Sequence, residues 1–382
     1  MHIHSRIGRA KPAPHRLARG GSRVVVQSIG NCGVGMVRSL CRVVPLPEPD
    51  IAALLFQAPS ALLIGLDRCT ADLIVGSLRE TGLDCAVLEE GAALEEGIGD
   101  HEVALNIHDF TRMLAIVLEV MCVLGVDERT ARKLVCNVPA VLLGGVSCAT
   151  VKALRSRFAP LGARIDASRP ETARFDLVLG HCPGLLRERA IARLQSVADA
   201  AGQREAATGV LSDIDHDVAE RAWQELRQLS VPLHVINRDF ARYALMLQQG
   251  EDTPQLRRCL VKLAGLPEGL IPPMLRNLPM LLQHGLRHDE TQAALSALAA
   301  VGALGVAEPI TCQRFSLQLD PIRDPAPLLP ILRELGDIME PDALDILRSH
   351  TPRIPGPFTT THARWLAHEL RRAGASVQLE SL

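Results

Sequence analysis

The order of apolar and polar positions predicts one small arrangement of strands and helices that returns along the chain. In the clearest stretch, residues 103–107 (VALNI) predict a short strand, and Met113–Leu124 predicts a strongly apolar helix. Asp127 precedes a second short helix, ERTARKLVCN, which ends at the turn containing Pro139. Residues 141–146 then predict the second strand.

A third helix follows, with apolar residues at helical spacing on its inward face. In this stretch they are Val151, Leu154 and Phe158. Gly162 ends the helix, since glycine tolerates the left-handed backbone found there, and residues 163–167 predict a closing strand. The corresponding inward residues of two other copies are Ala71, Ile74 and Leu78, and Ala219, Ala222 and Leu226. In the five copies the residue just before this helix is Asp67, Ser147, Asp215, Arg287 or Thr359. Four of these five residues carry a side-chain oxygen that can cap the helix.

Self-similarity of the chain supports this arrangement as a repeat. Residues 57–82, 137–162 and 277–302 superpose without a gap, each with a proline 6 residues before one glycine and 17 further residues to a second glycine. The prolines are Pro59, Pro139 and Pro279, and the glycine pairs are Gly65 and Gly82, Gly145 and Gly162, and Gly285 and Gly302. Two degenerate copies keep the 17-residue offset, from Asp213 to Ser230 and from Pro357 to Gly374.

The predicted fold class is therefore α/β (α+β), a tandem repeat of about five small β-α-α-β-α-β two-layer sandwich units. The predicted units span residues 23–88, 103–168, 175–236, 243–306 and 315–382, the third and fifth being degenerate. Because most junctions are short, we expect the units to pack in a row.

Two charged segments lie outside the units. Residues 1–22 form a basic segment without acidic residues, for which we expect a disordered, solvated tail, with contact to phosphate or an acidic partner as the alternative. Residues 89–102 form an acidic stretch, predicted to be a solvated linker that could instead complement the basic tail.

Composition narrows the function classes. One Tyr, two Trp and seven Phe imply aliphatic cores, and a net charge of −2 excludes a global attraction to nucleic acid or anionic membranes. No uninterrupted apolar run approaches the roughly 18 residues of a membrane span, so we expect a cytoplasmic protein. The ten cysteines, among them Cys122 and Cys136 in apolar stretches, form no CxxC pair and are expected to be buried and reduced.

Three motifs could carry chemistry, but each has a simpler explanation. His284 and His288 are four residues apart, but Gly285 separates them at a turn, which disfavours a metal site. His181 and Cys182 follow a strand but lack a nearby acid or second base. The GNCGVG stretch from Gly30 lies in a unit too short for a dinucleotide fold. We therefore predict no catalytic residue, no cofactor and no metal.

The second unit resembles a known family. LGVDERTARKLVCNV followed by PAVLLGGVSCATVKALRSRFAPLGARID looks like the carboxy-terminal domain of the bacterial ribosomal stalk protein. The same compact fold occurs in the Clp protease adaptor family, so the resemblance implies the fold more firmly than the function. The ribosomal domain recruits translation factors through a lysine-rich helical surface, and Lys133 falls on the corresponding helix. The candidate partner-binding residues are Arg129, Arg132, Lys133 and Lys152.

The leading functional hypothesis is a non-catalytic, protein-binding or scaffolding protein that gains avidity from repetition. Its partners would be proteins or further copies of the chain, and nucleic acid only through the basic tail. The alternative is a protein that recruits translation factors, or a protease adaptor, acting through the second unit. An enzyme is the third hypothesis.

Overall fold

The computed structural model describes residues 11–17, 20–180, 182–200, 209–229 and 231–382. The chain divides into two compact bodies, His2–Pro170 and Glu171–Leu382. Within the described residues each body contains small sheets with helices, and the α/β fold class is confirmed.

The N-terminal body contains two sheets in its described residues. The first has the strand order β1-β3-β2-β4 and the second the order β6-β5-β7. The elements of the first are β1 (His15–Arg16), β2 (Ser22–Ser28), α1 (Val34–Leu40), α2 (Glu48–Phe56), β3 (Ser60–Leu66), α3 (Arg68–Glu80) and β4 (Asp84–Glu89). Those of the second are β5 (His101–Ile107), α4 (Met113–Leu124), α5 (Glu128–Cys136), β6 (Ala140–Val146), α6 (Cys148–Phe158) and β7 (Ala163–Ser168).

The C-terminal body contains three sheets in its described residues, and in each the strand that comes first in the chain is the central one. The first comprises β8 (Phe175–Leu179), α7 (Gly184–Ala200), β9 (Val210–Ile214), α8 (His216–Arg227) and β10 (Leu233–Asn237). The next comprises β11 (Tyr243–Gln249), α9 (Pro254–Ala264), α10 (Ile271–Leu275), β12 (Met280–Leu286), α11 (His288–Ala300) and β13 (Leu304–Pro309). The last comprises β14 (Phe315–Leu319), α12 (Leu329–Glu334), α13 (Glu340–Arg348), β15 (Arg353–Phe358), α14 (Thr360–Arg372) and β16 (Val377–Ser381).

Each sheet with its helices is a module, and in all of them the central strand pairs antiparallel with the two later strands. The peptide bonds before Pro59, Pro139 and Pro279 are all cis, at the same place ahead of the second strand. In the third module one helix, α7, lies between β8 and β9 in the described residues, where the repeat pattern predicts two. Residues 201–208, which lie between α7 and β9, are outside the described part of the chain.

The predicted starts of the third helices are confirmed at all five positions. The side chains of Asp67, Ser147, Asp215 and Thr359 accept hydrogen bonds from first-turn backbone N–H groups. Arg287 has no capping oxygen, and there the Glu290 carboxylate accepts from the Arg287 N–H at 2.8 Å.

The predicted helix interiors are largely confirmed. Leu154, Phe158 and Ala222 are fully buried. Ile74 was placed on the inward face of α3, but Val75 is the buried residue there, because the apolar stripe runs one position further round the helix. Asp213, at the position of the repeat's first glycine, adopts the left-handed backbone with φ of 60°.

The disorder predicted for residues 1–22 is wrong for residues 11–17. His15 and Arg16 pair in parallel with the edge of β3, so the exposed edge of the sheet orders them. Lys11 Nζ donates to the carbonyl oxygens of Gln57 at 3.2 Å, Pro59 at 2.7 Å and Gly97 at 3.3 Å. Residues 1–10, 18 and 19 also belong to the predicted tail, and they lie outside the described residues.

The acidic stretch after β4 contacts this ordered segment. Glu96 lies 3.6 Å from Lys11 Nζ, and Glu90 pairs with Arg16. The Gly97 N–H donates to the Pro59 carbonyl at 2.8 Å. The stretch therefore contacts the first module, as expected if it complements the basic residues, while half of its residues stay exposed to solvent, as predicted for a solvated linker.

The ten cysteines, all within the described residues, form no disulfide, but their predicted burial is only partly correct. Cys32, Cys85 and Cys182 are buried, whereas Cys122 is exposed, because it projects from the outer side of α4. Burial raises the pKa of the Cys136 thiol to about 12. In the part of the chain that the structure describes, no helix has the length and apolar content to cross a bilayer.

Candidate functional site

Three of the four predicted partner-binding residues lie together on α5. Arg129 and Lys133 are exposed and four residues apart, on the side opposite the buried Ala131 and Val135. Arg132 Nη2 lies 2.6 Å from the Glu128 carboxylate, one turn earlier. The structure therefore gathers the first three residues on one helix.

Lys152, the fourth predicted residue, belongs to a different helix. It is exposed on α6 and lies beside the buried Val151. It is accordingly left out of the surface described next.

The helix before α5 has an exposed apolar side that the sequence did not reveal. α4 buries one face in the core, through Met113, Ile116, Val117, Val120 and Val123. On the other side, Leu114 is 58% exposed and Leu118 is 54% exposed. With Cys122 they form a stripe at four-residue spacing, and large exposed apolar residues grouped in this way are typical of interaction surfaces.

The turn between the two helices fixes them as a hairpin. Gly125 ends α4 in the left-handed conformation, with φ of 64°. Asp127 caps α5, and the hydrogen bond from the Thr130 N–H lowers the pKa of its carboxyl. α4 packs against α5, and each helix keeps exposed residues on the side away from the core. We call this surface the α4–α5 face, formed by Leu114, Leu118, Cys122, Arg129 and Lys133.

A buried guanidinium ties the hairpin to α6 and to the first module. The Arg157 side chain is only 5% exposed and pairs with Glu119 of α4. It also donates to the Cys32 carbonyl oxygen, and its Nη2 lies 3.5 Å from Cys122 Sγ. Since the Arg157 side chain, carried by α6, binds both α4 and the first module, the α4–α5 face stands on a rigid support.

The C-terminal body contains a polar cluster that sequence reasoning missed. Arg238 lies 2.8 Å from Asp176 and 2.6 Å from Asp213, and Arg174 lies 3.1 Å from Asp213. Hydrogen bonding from Arg174 lowers the pKa of the Asp213 carboxyl. Because these charges are paired with one another, we interpret the cluster as the support of the left-handed Asp213 backbone.

The remaining candidate motifs do not form a site of known type. Burial lowers the pKa of His284 to about 4, with a smaller effect of the Arg364 charge. His288 Nδ1 lies 3.4 Å from the Tyr243 hydroxyl, and the described residues contain no group of three or more ligands placed to hold a metal. His181 lies outside the described residues, and its neighbour Cys182 is buried.

Comparison with protein-family models, with curated proteins and with solved structures found no match to this chain. The functional interpretation therefore depends on the α4–α5 face and the contacts that hold it.

Proposed function

We propose that the chain is a protein-binding scaffold, acting in the cytoplasm, whose second module docks a polypeptide on the α4–α5 face. The observation that carries this proposal is the exposed Leu114 and Leu118 stripe on a helix whose opposite side is fully packed. The mixed α/β modules around it supply the scaffold.

The face suits an amphipathic helical segment that carries acidic residues. Leu114 and Leu118 are one turn apart, which matches the spacing of apolar side chains on a docked helix. Arg129 and Lys133 border the stripe with positive charge, so acidic residues beside the apolar ones would gain affinity and orientation.

Packing between the first and second modules supports the scaffold proposal. The Ser147 hydroxyl donates to the Ala58 carbonyl oxygen, and the Ser147 N–H donates to the Phe56 carbonyl oxygen at 3.0 Å. Modules joined in this way hold their surfaces at fixed spacing, which favours simultaneous contacts with one or more partners.

Recruitment of translation factors, or adaptor activity toward a protease, is the second candidate. It uses the same second module, and Lys133 on α5 is the residue that favours it. The two candidates differ in the identity of the partner and agree on the surface.

A peptide-display selection on the full chain tests the proposed ligand chemistry. We expect enriched peptides to combine acidic residues with apolar residues at helical spacing. Their binding should fall at least tenfold, by about 1.4 kcal/mol or more, in Leu118→Asp. Leu73→Asp, at a residue 69% exposed on α3, is the matched control and should bind normally. Selection of peptides that bind both variants equally would reject the α4–α5 face.

A further inference from the structure

The modules share a corner at which the first residue of the central strand meets the first residue of the third helix. In the third module this corner holds Phe175 and His216, whose ring centroids are 5.9 Å apart. In the fourth it holds Tyr243 and His288, with centroids 5.8 Å apart. Each central-strand residue pairs with the residue two before the helix start, so the corners are equivalent in register.

The second module places a thiol and an imidazole at the same corner. His101 pairs with Val146 in the equivalent register, and Cys148 is the first residue of α6. Cys148 Sγ lies 3.7 Å from His101 Nε2, within hydrogen-bonding range for sulfur. Where the third and fourth modules pack two rings together, the second module therefore places a nucleophile beside a base.

A carboxylate stands behind the imidazole. Asp100 Oδ1 lies 2.5 Å from His101 Nδ1, and Asp100 Oδ2 lies 2.9 Å from Arg169 Nε. The Nδ1 atom is buried beside this carboxylate, without an aligned hydrogen bond to it. With the His101 side chain only 12% exposed, the ring is held in place between Asp100 and Cys148.

The thiol itself faces solvent. Cys148 is exposed, whereas the preceding residue, Ser147, is buried and caps the helix. A nucleophile within reach of a base, with that base positioned by a third group, is the arrangement that activates cysteine. Here the arrangement is accessible to small molecules.

We propose that Cys148 is a modification site that exchanges with low-molecular-weight disulfides, with His101 as its base and Asp100 as a positioning residue. His101 Nε2 takes the proton from Sγ, and the thiolate attacks one sulfur of the disulfide. A bond forms between Sγ and that sulfur while the disulfide bond of the reagent breaks. The leaving thiolate takes up the proton from His101, so Cys148 is oxidised to a mixed disulfide and the leaving sulfur is reduced to a thiol.

The first module supplies an internal control. Cys69 is also exposed and is the second residue of a third helix, α3. The corner of that module holds Ser22 and Arg68 in place of the imidazole and thiol. A difference in reactivity between Cys148 and Cys69 therefore reports the effect of the His101 corner more than the effect of a helix N-terminus.

The test is site-resolved mass spectrometry of the full chain treated with excess oxidised glutathione at neutral pH. We expect Cys148 to gain glutathione at least about tenfold faster than Cys69, since general-base assistance commonly exceeds that factor. In His101→Gln the Cys148 rate should fall to that of Cys69, and in Asp100→Asn it should fall less.

Equal rates at Cys148 and Cys69 in the unsubstituted chain would overturn the proposal without any variant. So would a Cys148 rate unchanged in folded His101→Gln. Rates at Cys136, which burial shields in the folded module, show in the same samples whether a variant has opened the module, because unfolding would expose this thiol. The peptide-binding assay is independent of this outcome, since neither His101 nor Cys148 belongs to the α4–α5 face.

Discussion

Thr150 Oγ1 donates a hydrogen bond of 2.7 Å to the carbonyl oxygen of Phe56, across the boundary between the first two modules. Phe56 is the last residue of α2, and helix ends leave carbonyl groups without partners inside the helix. The third helix of the second module therefore supplies a hydrogen-bond donor to a carbonyl group at the end of a helix in the first module. Both residues are buried, so the bond is sheltered from water.

Removing this hydroxyl should weaken the junction. Thr150→Val keeps the shape of the side chain but loses the donor, and we expect it to lower the free energy of unfolding by about 1 kcal/mol. Calorimetric melting of the full chain measures the loss, and Thr150→Ser, which keeps the hydroxyl, is the control. A Val variant as stable as the parent would show that the bond contributes nothing to the junction.

The buried guanidinium gives a larger expected effect. Arg157→Met leaves the partly buried Glu119 carboxylate without its partner, which typically costs about 3 kcal/mol of stability. The double variant with Glu119→Gln should recover part of that loss. Arg132→Met removes an exposed pair on α5 and should cost under about 0.5 kcal/mol. Similar losses from the two arginines in denaturant titrations would contradict the assigned role of Arg157.

Two glycines at the ends of third helices allow the cost of backbone strain to be measured apart from the cost of a steric clash. Gly162 and Gly302 share φ of 74°, but a methyl group at Gly162 would stand 2.4 Å from Asp109 Cβ, whereas at Gly302 it would meet no atom within 4 Å. Gly302→Ala should cost about 1 kcal/mol from strain, and Gly162→Ala clearly more. Melting temperatures of the two variants measure this order, and the reverse order would be inconsistent with the described helix end.

The half-buried His284 predicts a pH dependence of the stability. Its folded pKa of about 4 lies below the ordinary 6.5, so the unfolded chain binds more protons between these values. The contribution of His284 to the free energy of unfolding is therefore full above pH 6.5 and is lost as the pH falls toward 4. With a discount for the part of the ring that solvent reaches, the loss is about 2 kcal/mol. In His284→Gln the free energy of unfolding should depend less on pH between these values. An unchanged pH dependence would refute the assignment to His284.

Local signals in the sequence predicted the elements well, because caps, glycine ends and apolar periodicity act within a few residues. Asp127, for example, begins a helix because its side chain caps the first turn. Gly162 ends one because glycine adopts the left-handed backbone there. The pairing of Arg16 with β3 was missed because no local pattern encodes contact with a strand almost fifty residues away.

The candidate sites were harder to predict for the same reason. The apolar sequence of α4 indicates burial on all sides, but Leu114 and Leu118 remain exposed on one side of that helix. His101 and Cys148 are brought together by the register of β5 and β6, which neither residue reveals alone. Arg129 and Lys133 could be placed on one helix because their spacing is local.

The most direct test of the proposed function is quantitative affinity purification from the protein's own cell lysate with four forms of the chain. We expect a set of proteins retained by the parent and by Leu73→Asp but lost with Leu118→Asp, and reduced by Lys133→Glu in a salt-dependent way. Circular dichroism must first show that all forms are folded. Retention of the same proteins at the same level by the parent and by Leu118→Asp would contradict docking on the α4–α5 face.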